Sequence, residues 1–344
     1  MTRQLLRSPA LTVAVLASMT GVWACKDSGG PDEPTPVPTT VTLSKTAVSL
    51  DAIGATDQLS ATVRDQNGNT MSTASVSWAS NDQAVATVSA SGLVAAVANG
   101  TAQVTATSGS ANGSATVTVA QVPAQVQKAA GDAQTGTVGQ ALTDLLYARV
   151  NDRLGNAISG VTVNFAVSAN GGVVSPTSGA TGADGRVGTE WTLGTLSGSH
   201  SVTATPATGS GSADFTATAD PEAAAAISEV SGSGQTGLIN TALANPLVVA
   251  VVDQFDNGVP GVGVTFSTSD GLVSPTNTTT DASGQAQATW TLGSTIGAQT
   301  AQASSPGLTG DPVTFTATGT DLSITTITPD TIVEGASATI TGTG

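Results

Sequence analysis

The chain holds one cysteine and one histidine, at positions 25 and 200. A lone Cys forms no internal disulfide, thiolate metal cluster or CxxC pair. A lone His excludes the usual multi-histidine metal centres. His200 is the one imidazole a Ser-His-Asp arrangement could use, and such a base needs a held nucleophile and an orienting acid. No Gly-x-Ser-x-Gly elbow accompanies it, and no P-loop, HExxH or GxGxxG in a strand–helix context occurs. His200 opens a predicted strand, Ser199-His200-Ser201-Val202, and is expected to be a surface polar residue. The acidic turns are the remaining chemistry. Asp253, Asp256 and Asn257 share one strand-connecting loop, and Asp184 and Asp281 stand in another loop type. Hard cations such as Ca²⁺ take several oxygen ligands in flexible geometry, so calcium is the one cofactor this chain raises. The alternative is that Asp, Asn and Gly are turn formers bonding their own backbone. The spacing matches no EF-hand. On this reading the chain is not an enzyme and has no small-molecule substrate.

The elements around these residues begin with an address. Residues 1–24 read as a secretory signal, with Arg3 and Arg7 ahead of the apolar run LTVAVLA at 11–17. That run is too short to span a bilayer, which takes about 20 residues. The segment Val22-Trp23-Ala24-Cys25 resembles the lipobox of bacterial lipoproteins, with Trp23 departing from the small residue usual there. The resemblance implies lipidation at Cys25 and attachment to a membrane through the N-terminus. Attached acyl chains contribute about 0.8 kcal/mol per buried CH₂, and two chains anchor stably. Lys26 rather than Asp follows the Cys, which in that family implies sorting to the outer membrane. Residues 25–40 are rich in Pro, Gly and acids and build no core. At about 3.1 Å per residue in polyproline II, they form a spacer of roughly 45 Å.

Charge narrows the partners. The net charge is −15, with 9 Lys+Arg against 24 Asp+Glu. Residues 1–24 carry two Arg and no acid, so the remaining 320 residues carry −17. Every Lys and Arg lies before residue 187. Such a chain has no basic footprint for nucleic acid.

Beyond residue 40 the sequence is built from Thr, Ser, Ala, Val and Gly, which favours many short strands. Residues 122–219 and 222–318 are copies of one another. DRLGNAISGVTVNF at 152–165 recurs as DQFDNGVPGVGVTF at 253–266, and WTLG at 191–194 recurs at 290–293. Val161, Val163, Phe165 and Val167 alternate with polar neighbours, as do Val187, Trp191 and Leu193. This is the period-2 pattern of antiparallel strands over a shared core. The expected core includes Trp78, Trp191 and Trp290, one plug per unit, with Phe165 and Phe266. Of the ten aromatics, only Phe255 and Tyr147 are left over. Tyr147 falls on the face opposite Leu146, Ala148 and Val150, which predicts an exposed ring. Two scattered aromatics make a poor sugar platform and a poor protein hot spot.

Three resemblances organise these units. Residues 41–119, through QLSATVRDQNGN, VSWASNDQAVATVSASGLVAAVANGTAQVTAT and ATVTV, resemble the bacterial immunoglobulin-like group 2 domain. Residues 122–219 and 222–318, through the repeated strings above with GVVSP and GLVSP, resemble bacterial immunoglobulin-like group 1 domains of invasin- and intimin-type adhesins. Residues 319–344, through Pro329, Gly335, Gly342 and Gly344, resemble an incomplete start of an IPT/TIG domain, and truncation is the favoured reading. The expected fold is all-β, tandem immunoglobulin-like β-sandwiches in an elongated rod. Short Pro-bearing joints at Pro123 and Pro221 stiffen it. The resemblance implies an exported, lipid-anchored envelope or surface protein, a stalk that presents or mediates adhesion. An extracellular glycan or protein ligand is the partner class expected. A carbohydrate- or matrix-binding protein, and accessory domains of a larger secreted enzyme, are the alternatives.

Overall fold

The computed structural model describes residues 35–328 and 339–343, with side chains described through Leu322. Every regular element among them is a strand. The group 2-like unit pairs Pro38–Leu43 with Ala61–Asp65. It packs a four-stranded sheet, ordered Ala47–Leu50, Ala111–Val119, Gly100–Ser108, Ser77–Ser80, over a three-stranded one. In the next unit, Gln125–Ala130, Leu146–Asn151, Arg186–Thr192 and Val173–Ser175 form one sheet. Gln134–Thr137, Ala213–Asp220, Gly198–Pro206, Thr162–Val167 and Ser178–Ala180 form the other. The third unit repeats both sheets with the same strand order. The sequence predicts antiparallel pairing throughout. Each sandwich adds one parallel pair, such as Gln134–Thr137 on Ala213–Asp220, which joins an early strand to the last.

The alternation in sequence becomes the wall of each core, because successive side chains point to opposite faces of a strand. In the second sandwich Leu146, Ala148 and Val150 face Val163, Phe165, Val202 and Phe215, all buried. Trp191 and Trp290 are fully buried, and Phe165 and Phe266 nearly so. Burying an aromatic side chain of this size stabilises by about 1.5–3 kcal/mol. Trp78 departs from the expected plug. It is half-buried and touches two smaller clusters, one around Val104 and Val117 and one around Val41 and Val63. The first strand pair forms a sheet of its own, and Val41 and Val63 from it enclose the second cluster with Ala106 and Ala111 of the four-stranded sheet.

The two tryptophan plugs are not equivalent. Trp191 Nε1 donates to Gly171 O at 2.7 Å. Trp290 Nε1 is buried without a partner. Phe165 to Pro176 spans eleven steps in the second sandwich, and Phe266 to Pro275 spans nine in the third. In the shortened loop the corresponding carbonyl, Asp270 O, accepts Thr268 Oγ1 at 2.7 Å instead.

Candidate functional site

The polar chemistry of the chain converges on the joints between sandwiches. Each sandwich carries one Asp-x-x-x-Asn loop: Asp65 to Asn69, Asp152 to Asn156 and Asp253 to Asn257. All three close the same way. The Asp N–H donates to the Asn carbonyl, and the N–H of the fourth residue donates back to the Asp carbonyl. The Asp Oδ1 accepts the N–H groups two and four residues on. This is the local side chain–backbone bonding that makes Asp a turn former. The fourth position needs positive φ, supplied by Gly68, Gly155 and Asp256. Asp is among the few non-glycine residues that tolerate it.

In the second and third sandwiches the loop also grips the preceding one. Asp152 is fully buried. Its Oδ2 accepts Ile53 N at 3.0 Å and Gln121 Nε2 at 2.9 Å. Asn156 Nδ2 donates to Ile53 O at 2.9 Å. Two side chains thus hold both main-chain groups of one residue of the preceding domain, as a neighbouring strand would. Exposed Arg153 adds an ion pair to Asp51 at 2.9 Å, a contact worth little in water. At the next joint Asn257 makes the grip alone. Its Nδ2 donates to Thr195 O and its Oδ1 accepts Ser197 N, each at 2.8 Å. Asp253 Oδ2 orients it by accepting Asn257 Nδ2 at 2.9 Å, and also accepts Glu222 N at 3.0 Å. Between Asp253 and Asn257, Phe255 packs against the core of the second sandwich.

The electrostatics follow from these donors. Burial works to raise the pKa values of Asp152 and Asp253. Hydrogen bonds from Gln121, Asn156 and Ile53 in one, and from Asn257, Glu222 and Phe255 in the other, outweigh it. Both carboxyls are held below their ordinary value and stay ionised inside the joint.

These placements revise several expectations. The Asp253 carboxylate, raised above as a calcium ligand, directs its oxygens at four N–H donors, and the Asp256 side chain is exposed. A cation there needs oxygen lone pairs that this loop gives to nitrogen. Among the described residues no group of three or more His, Cys, Asp or Glu could hold a metal. His200 is buried rather than a surface residue. It shares strand parity with Val202 and Ala204 and therefore points inward. Its Nε2 lies 2.8 Å from Leu196 O, so His200 props the 195–197 turn that Asn257 grips. Gln299, its counterpart, props the third sandwich's turn through Thr295 O at 2.6 Å. Phe255, left over in the sequence, is a joint contact. Tyr147 is half-buried rather than exposed. Cys25 lies outside the described residues.

Sequence reasoning singles out Asp253 and Asn257 but not their role. The usable signal was that Asp and Asn recur four apart in all three units, with an apolar residue between them in the two that follow another sandwich.

Comparison with known proteins finds distant likenesses among solved structures. FdeC, an Escherichia coli adhesin, is 21% identical over 81% of this chain and 96% of its own, with a TM-score of 0.37. Invasin, a bacterial integrin-binding protein, is 17% identical over 88% and 67%, with a TM-score of 0.39. Domains 1–6 of the surface layer protein SbsC are 16% identical over 86% and 42%, with a TM-score of 0.35, so this chain spans less than half of that fragment. At the level of sequence family, residues 37–119 match the bacterial Ig-like domain (group 2).

Proposed function

We propose that this protein is a non-catalytic stalk of the bacterial cell surface, whose tandem immunoglobulin-like sandwiches hold an adhesive or presented surface away from the envelope. The observation that carries the reading is the pair of clasped joints. Asp152 and Asn156 at the first joint, and Asn257 held by Asp253 at the second, spend side-chain hydrogen bonds on the neighbouring domain's main chain. A chain of independent binding modules has no need of buried carboxylates at its joints. A stalk does, because a rigid joint transmits position. Residues 122–219 and 222–318 are read as group 1 domains of the adhesin type. Cys25 is the lipid attachment point, residues 26–40 are the spacer above the membrane, and the outer membrane or cell surface is the destination.

Small-angle scattering of residues 41–318 tests the stalk. Three sandwiches with strands of about seven residues, placed end to end, reach roughly 100 Å. A maximum dimension near that value supports the reading, and a compact particle refutes it. Radiolabelled palmitate incorporated into the wild type and absent from Cys25→Ser tests the anchor. Label retained in that variant removes it.

A further inference from the structure

The two copied sandwiches differ on one outer sheet face. In the second sandwich Tyr147 stands opposite Gly188, Arg149 opposite Arg186, and Ser175 opposite Glu190. The third sandwich has Val248 opposite Gln287, Ala250 opposite Gln285, and Ser274 opposite Thr289. Both copies carry a shallow groove at this place, about 380 Å³ in the second and about 410 Å³ in the third. Leu145, Tyr147, Pro176, Thr189 and Glu190 line the first. The second has Pro246, Pro275, Gln287 and Thr289 and no aromatic residue.

The Tyr147 ring lies flat. A methyl group on Gly188 would come within 2.8 Å of Cε1 and 3.1 Å of both Cδ1 and Cζ. The absent side chain is therefore what lets the ring rest across the strand, with its other face toward the groove. Glu190 is exposed, and its carboxylate has no hydrogen-bond or ion-pair partner among the described residues. It sits two residues from Gly188 on the same face, a diagonal of about 7–8 Å from Tyr147. Arg149, on the same face, is steadied by its Nε donating to Asp184 O at 3.2 Å. Leu145 is 40% exposed at the groove's edge.

We propose that this groove binds a pyranose sugar of an extracellular glycan. A flat aromatic face with a polar neighbour suits a ring that has apolar C–H faces and hydroxyl edges. The sugar face stacks on Tyr147, hydroxyls donate to the Glu190 carboxylate, and Leu145 and Pro176 wall one side. A protein partner fits less well, because hot spots cluster several large anchors in a desolvated pocket and this groove offers one aromatic. Nucleic acid is disfavoured by the free carboxylate and by the chain's net charge of −15. The proposal deepens the adhesion reading by naming a ligand class, and rests on it only for placing the groove outside the cell.

Tyr147 is the chain's only tyrosine, so its ring signals are unambiguous. The full chain, labelled with ¹³C in tyrosine rings, is titrated with methyl glycosides of glucose, galactose, mannose and N-acetylglucosamine and with their linear trisaccharides. At least one sugar is expected to shift the Tyr147 ring resonances saturably. Saturation transfer to that sugar is expected to show affinity weakened about ten-fold or more in Tyr147→Ala and in Glu190→Gln, with the Trp191 indole signal unchanged to confirm folding. If no sugar of the panel moves the ring, or if both variants bind as the wild type does, the proposal is overturned. A face silent to sugars that captures a protein instead also overturns it. The scattering dimension of the stalk does not depend on this groove, so a failed titration leaves the stalk reading to its own test.

Discussion

Replacing Asn257 with alanine removes three hydrogen bonds and leaves the fold of either sandwich intact. Two of the three cross the joint, to Thr195 O and from Ser197 N, each at 2.8 Å. The third ties Asn257 to the buried Asp253 carboxylate at 2.9 Å. A typical intramolecular hydrogen bond contributes about 0.5–1.5 kcal/mol net, so the two joint bonds together carry about 1–3 kcal/mol. The Ser197 amide reports this directly, because Asn257 Oδ1 is its acceptor. If opening of the joint exposes that amide, Asn257→Ala speeds its hydrogen exchange by about 5- to 150-fold. Two-dimensional NMR during exchange into D₂O measures it residue by residue. Asn156→Ala serves as control, since it removes the bond to Ile53 O and leaves Ser197 alone. Exchange of Ser197 at the wild-type rate in Asn257→Ala, or equal acceleration in the control, would rule out these bonds as what holds the joint.

Other consequences follow from the same contacts. Asp152 and Asp253 have native pKa values held below the ordinary value near 3.8. Their contribution is therefore fully present above that value and lost as pH falls through the lower native values. Melting temperature is expected to be flat from pH 8 to about 5 and to fall below about 4, and Asp152→Asn is expected to flatten part of that fall. An identical acid profile in the variant would contradict the assignment. Trp191→Phe loses a hydrogen bond to Gly171 O, whereas Trp290→Phe removes a buried N–H that has no partner. Urea unfolding is expected to show Trp191→Phe as the costlier change by at least about 1 kcal/mol, and equal costs would refute the comparison. His200→Gln reproduces the prop seen at Gln299 and is expected to leave stability within about 0.5 kcal/mol. His200→Ala leaves Leu196 O without its donor and is expected to cost about 1–3 kcal/mol, so indistinguishable melting curves would remove the prop.

The sandwiches were legible because period-2 alternation is a direct image of the pleat. Val163 and Phe165 face the core, as do Val187, Trp191 and Leu193. The duplication added the matched tryptophans. The same parity placed His200 with Val202 and Ala204, yet residue type argued for the surface, and parity was the better guide. Tyr147 was assigned to its correct face, but the glycine opposite it lets the ring lie down and bury one side. The joints were the least legible part. Asp and Asn in a loop suit a turn, a cation site or a clasp equally well, and composition does not separate these. What separates them is the partner. Asp152 bonds Ile53, ninety-nine residues earlier in the chain, and no local pattern carries that information. Phe255 was unreadable for the same reason, since its packing surface belongs to the preceding sandwich. One tryptophan per unit implies one core per unit, whereas the group 2-like unit has two clusters and Trp78 touches both.

Clasped joints of this kind fix neighbouring sandwiches relative to one another. Residual dipolar couplings measured on the full chain in a weakly aligned medium read that relative orientation. One alignment tensor is expected to fit the amides of residues 122–219 and 222–318 together, and Asn257→Ala to split it into two. Two independent tensors of unequal magnitude in the wild-type protein would contradict it.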